Sequence, residues 1–175
     1  MPLRPLYIPA HIDSFITNFS LSVLLPGLND EDLLDELSHK LFGKISVLKS
    51  GQLLNELENP KDNEFPRLVE LINSKLRLIL VDYAKSRTED YNGLFESEEA
   101  LDKRIRLLDT PESPPDDFEQ RVLSDFISAK INIIEGEHRE LDDSNSYPNT
   151  LYFSHHDEQY YFFVETSLLP KRCYE

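Results

Sequence analysis

The chain has 175 residues and a mass of 20.4 kDa, the size of one ordinary domain. Its 33 acids face 18 bases, giving a formal charge of −15 and a pI near 4.7; this argues against a nonspecific nucleic-acid binder, which needs a basic face, and disfavours adhesion to an anionic membrane. No apolar run approaches spanning length, the opening MPLRPLYIPAH lacks the continuous apolar core of a secretory signal, and the single Cys173 allows neither an internal disulfide nor a zinc cluster, so the reducing cytosol or nucleus is the expected compartment.

Pro2, Pro5 and Pro9 keep the opening out of helix. Helical spacing then sets in, with Ile12, Phe15, Ile16 and Phe19 on one face. Pro26-Gly27 breaks it. Asn29 reads as an N-cap followed by Asp30, Glu31 and Asp32, where the helix dipole favours negative charge. Leu33, Leu34, Leu37 and Leu41 form that helix's apolar stripe, and Gly43 ends it.

From Lys44 the pattern alternates through Ile45 and Val47, which predicts a strand closed by Ser50-Gly51. After a polar loop around Asn59-Pro60, Lys75 to Tyr83 alternates with apolar residues on both faces and is expected to be a central strand. Tyr91 to Phe95 is expected to return beside it as a hairpin. Ser97 caps a predicted helix through Leu101, Ile105 and Leu108. The acidic, Pro-rich stretch from Asp109 to Asp117 is a loop, and Phe118, Val122, Leu123 and Phe126 suggest a further helical turn or two. Ala129 to Ile134 reads as a strand and Glu135 to Asn149 as a second acidic loop. Leu151 to Phe153 and Gln159 to Val164 form a terminal hairpin about His155-His156-Asp157-Glu158.

About five strands, with one helix between the third and fourth, have the order of an OB-fold. The expected architecture is therefore mostly β: a five-stranded barrel over 44–175, carrying an N-terminal helical extension over 1–43.

Catalytic signatures are sparse. Five glycines form no phosphate loop, and neither HExxH nor GxSxG occurs. Adjacent His155 and His156 on a strand point to opposite faces, so this cluster reads as a solvated turn and no metal or other cofactor is expected. Glu98-Glu99 and Asp116-Asp117 are paired only in sequence, which falls short of the fixed cleft that acid–base chemistry needs. In Tyr160-Tyr161-Phe162-Phe163 alternate rings face opposite sides. With few cations nearby to hold a nucleic-acid strand, the run reads as core plus protein contact. The expectation is a protein that is not an enzyme.

Three blocks together resemble a known family. They are Leu76-Arg77-Leu78-Ile79-Leu80-Val81-Asp82 with Tyr91 to Asp102, then Lys130-Ile131-Asn132-Ile133-Ile134-Glu135, then Gln159 to Pro170. Their order and spacing are similar to those of the third "ever shorter telomeres" proteins, yeast telomerase accessory subunits, and of the related OB domain of the telomerase-recruiting bridging shelterin subunit. The family usually carries Pro-Trp-Ile near the N-terminus, whereas this chain has no tryptophan and Ala10-His11-Ile12 stands in that place.

The resemblance implies a monomeric, non-catalytic telomerase accessory subunit, nuclear and telomeric. It would bind the N-terminal domain of the reverse-transcriptase subunit, and a second accessory subunit besides, through an acidic OB surface. Telomerase RNA and telomeric DNA would be touched only indirectly. By position, the implied contact residues are Glu165 and Ser167, then Asp117, Glu119, Arg121, Ser128 and Lys130; Asp82 is implied as structural, with Lys44 as its salt-bridge partner. The alternative from charge alone is an acidic inhibitor or immunity-type protein that masks a basic nuclease.

Overall fold

A computed structural model describes residues 3–6, 13–27, 30–42, 64–110, 115–141 and 149–165. The architecture is helices packed on one face of an open sheet. In chain order the elements are β1 (Leu3–Pro5), α1 (Ser14–Leu24), α2 (Glu31–Phe42), α3 (Glu64–Lys85), α4 (Thr88–Tyr91), α5 (Glu98–Leu107), α6 (Asp117–Ile127), β2 (Lys130–Glu135), β3 (Thr150–His156) and β4 (Gln159–Glu165). Short 3₁₀ turns, Leu25–Gly27 and Asn92–Leu94, follow α1 and α4. The sheet order is β1-β4-β3-β2. β2 pairs parallel with β3, while β3/β4 and β4/β1 are antiparallel.

This overturns the mostly-β five-stranded OB barrel. Six α-helices and an open four-stranded mixed sheet stand in its place among the described residues. The decisive error lies at Lys75–Tyr83, which is the middle of the 22-residue helix α3 rather than a central strand. Ile72, Leu76, Leu80 and Ala84 recur every four residues and are buried, whereas Leu78 is 55% exposed. The inward stripe also holds the buried polar residues Asn73 and Arg77, which blurred the period of four. Leucine favours helix over strand, and the buried recurrence from Ile72 to Ala84 is longer than an ordinary strand. The expected second strand at Tyr91–Phe95 is the last residue of α4 and a 3₁₀ turn. The strand expected from Lys44 lies outside the described residues.

Other local readings agree with the structure. Phe15, Ile16 and Phe19 are buried in a helix α1 as expected, although α1 is buried on nearly all sides, Ser14 to Leu21 included, and not along one face only. The cap of α2 falls one residue later than expected, where Asp30 Oδ1 accepts the Leu33 N–H at 3.1 Å. Ser97 caps α5, its Oγ accepting the Ala100 N–H at 3.1 Å. The hairpin of β3 and β4 turns at Asp157-Glu158, both residues in the left-handed region (φ 51 and 61).

One core joins these parts. Ile131, Ile133, Leu151, Phe153, Phe162 and Val164 present the helix-facing side of the sheet to α1, α3 and α6 residues such as Phe19, Leu80 and Val122. The N-terminal region belongs to this core: Leu6 and α1 residues are buried in it, and β1 completes the sheet edge beside β4. Asn18 Nδ2 ties α1 to the Tyr160 carbonyl at 2.6 Å. Tyr152 and Phe163 are buried too, on the opposite face of the sheet and outside this cluster.

Candidate functional site

Two features stand out from the packing: a buried ionic cluster between the helices, and a grooved corner where α6 turns into β2. The cluster centres on Arg77, 2% exposed in α3. Its guanidinium donates to both carboxylate oxygens of Asp13, at 2.8 and 2.6 Å, to the Leu108 carbonyl at 2.6 Å and to Glu119 Oε1 at 3.0 Å. These bonds clamp the entry to α1, α3, the end of α5 and the first turn of α6. Burial works against the charge on Arg77, yet Asp13 and Glu119 hold its pKa above the ordinary value.

Glu119 is 1% exposed, and its Oε2 has no hydrogen-bond partner. Burial lifts its pKa to about 7, against the pull of Arg77. Next to it, Asp116 caps α6 by accepting the Glu119 N–H at 2.9 Å and takes two hydrogen bonds from Arg104 at 2.8 and 2.6 Å. Partial burial would raise the Asp116 pKa, but these bonds bring it below the ordinary carboxylate value. Tyr91 donates to Asp125 Oδ2 at 2.9 Å, and burial, then that bond, raises its pKa. These groups answer one another inside the helical layer, and neither Glu119 nor Tyr91 lines either of the two grooves at the corner.

The corner is different. A groove of about 1130 Å³ runs among Tyr83, Arg87, Arg121, Lys130, Thr150 and Tyr152. A second, of about 600 Å³, lies beside Leu94, Phe95, Asp117, Gln120, Arg121 and Ile131. Arg121, Ser124, Lys130 and Ile131 line both. Asp117, Gln120, Arg121 and Ser124 reach the second groove because they fall at helical spacing on one face of α6. Ser128, in the left-handed conformation (φ 55), ends that helix and redirects the chain into β2. Arg87 lies 4.6 Å over the Tyr83 ring, and Arg121 is paired with Asp125 at 3.2 Å.

The structure thus gathers four of the expected contact residues, Asp117, Arg121, Ser128 and Lys130, about this corner. Glu119 is buried on Arg77 and offers no surface to a partner. Glu165 is exposed at the end of β4, opposite Leu3 of β1. Asp82, expected to end a strand and to be structural, is exposed on α3. Ser167 and Lys44 lie outside the described residues. Asp13, Arg77, Arg87 and Phe95 escaped sequence reasoning as site residues. A basic residue inside the apolar run of α3 was the only local sign of the ionic cluster.

At the hairpin, His155 stacks on Tyr160 at 4.3 Å and His156 on Tyr161 at 4.7 Å. The two rings lie on opposite faces, as alternation requires. His155 Nδ1 is 2.9 Å from Glu135 Oε2. Among the described residues no group of three or more His, Cys, Asp and Glu could hold a metal ion, and no helix is long and apolar enough to cross a membrane. No protein-family profile and no curated protein matches the chain.

Proposed function

We propose that this protein is a non-catalytic binding subunit whose partner is a basic protein domain. The observation that carries the reading is the formal charge of −15, displayed on exposed acids such as Glu31, Asp32 and Glu36 of α2 and Glu89, Glu96, Glu98 and Glu99 around α4 and α5. Such a field speeds encounter with a positive surface and repels phosphate. The groups with the most perturbed protonation are engaged inside the helical layer, so what the grooves offer is contact chemistry.

The likeness to telomerase accessory subunits makes the N-terminal domain of a telomerase reverse transcriptase the first partner to test, in a nuclear, telomeric setting. RNA or telomeric DNA would be reached only through that domain. The first block of that likeness lies on α3, the turn after α4 and the start of α5, so docking does not use a barrel. A second reading, an inhibitor that masks a basic nuclease, rests on the same charge.

Titration calorimetry of the full chain with the reverse-transcriptase domain tests the first reading. Binding that weakens about tenfold on Glu165→Arg supports it. No heat with that domain, together with inhibition of a basic nuclease, selects the second reading. Failure with both overturns the proposal.

A further inference from the structure

We propose that the outer edge of β2 is a docking site for an extended peptide segment of another protein, which adds a fifth strand to the sheet and sets a carboxylate against Lys130. The Lys130 N–H donates to the Asn149 carbonyl at 2.8 Å and the Gly136 N–H to the His155 carbonyl at 2.9 Å. Even-numbered amides of β2 therefore point to β3. By strand alternation the amides and carbonyls of Ile131 and Ile133 point the other way. β2 ends the strand order, and these groups have no partner among the described residues. The opposite edge is covered in part, since Leu3 of β1 exchanges hydrogen bonds with Leu141 at 3.0 and 2.8 Å. An open edge recruits another strand through its main chain and reads alternate side chains through pockets.

The pockets are present. On the helix-facing side the smaller groove offers Phe95, Ile131 and Leu94, the last 54% exposed, so it suits an apolar side chain. On the other face of β2 stands Lys130, which also borders that groove and has no carboxylate partner among the described residues, although acids outnumber bases 33 to 18 in this chain. Asp117 and Asp125 also line the grooves, and the net charge is strongly negative. The fit is therefore to a segment with an isolated carboxylate and not to a polyanion such as nucleic acid. A second copy of the chain would meet the same negative field.

The inference rests on the binding reading only in treating this corner as an interaction surface; it does not depend on which partner is bound. The probe is a labelled eight-residue peptide alternating isoleucine and threonine, with one threonine replaced by glutamate. The expected result is slowed hydrogen exchange at the Ile131 and Ile133 amides. Affinity should fall about tenfold on Lys130→Glu and return when the peptide glutamate is changed to lysine. Absence of protection at about 1 mM peptide overturns the inference. So does equal binding by a peptide N-methylated on alternate residues, which cannot pair. Dimerisation of the chain through this edge would also overturn it, as a self-association site. If the peptide binds while the reverse-transcriptase domain and the nuclease do not, the partner reading alone fails. If a partner binds and Lys130→Glu leaves that binding unchanged, the strand-addition site alone fails.

Discussion

Glu119 shows how one buried side chain can set the pH response of the fold. Its ordinary pKa of 4.5 rises to about 7 in the folded chain, so between those values the folded state holds a proton that the unfolded state has released. Its effect is a loss of stability as pH rises from about 4.5 to about 7, on the order of 3 kcal/mol. Asp116 works in the opposite sense: its pKa is lowered, so its contribution is present at neutral pH and lost as acid protonates it. Comparing Glu119→Gln with the parent separates the two. The variant keeps an acceptor for Arg77 and never ionises, and its urea midpoint should gain on the parent between about pH 5 and pH 8. Parallel pH curves would show that Glu119 titrates as an ordinary surface acid. Gly27 makes a second residue-level prediction. A Cβ there would lie 2.6 Å from Leu34 Cα and 2.7 Å from Leu34 N, both backbone atoms. Gly27→Ala must push α2 away from the turn after α1, and thermal denaturation should show a loss of about 1–3 kcal/mol.

Among the elements, α3 and the β3–β4 hairpin illustrate opposite relations between pattern and structure. In α3 the buried stripe combines Ile72, Leu76, Leu80 and Ala84 with Asn73 and Arg77. Asn73 is satisfied by Thr17 of α1 at 2.8 Å, and Arg77 by Asp13 and Glu119. Three partners distant in sequence therefore stabilise polar positions that look, in isolation, like breaks in the stripe. The hairpin needs no such help, because its alternation and its two-residue turn are local. That turn places Asp157 and Glu158 at positive φ, where a side chain costs energy and glycine does not. Glu158→Gly should stabilise the protein by about 1 kcal/mol, read as a rise in melting temperature. An unchanged or lower value would mean that the Glu158 side chain contributes more than its backbone conformation costs.

For the whole molecule, charge and topology act together. A formal charge of −15 makes association with a basic partner depend on ionic strength. The association rate should drop at least several-fold between about 50 mM and about 300 mM salt, while dissociation changes less. Stopped-flow mixing measures both; a salt-independent association rate would remove the electrostatic basis of the proposed function. The sheet supplies the other molecule-wide property. Among the described residues the sheet ends at β2, so an edge stands open beside the grooves about Arg121 and Lys130.

By itself the sequence determined the charge, the cap at Ser97, the helices α1 and α2, the strand beginning near Lys130 and the terminal hairpin. Each depends on spacing, turn chemistry or side-chain charge within a few residues. Only the tertiary structure decided whether Leu76–Val81 would follow a period of two or of four, because that run satisfies both until Asn73 and Arg77 find Thr17, Asp13 and Glu119. It also decided that Glu119 is interior while Asp117 and Arg121 line grooves, although they share one helix. Burial depends on which elements meet, and contacts between residues more than forty positions apart leave no local mark in the chain.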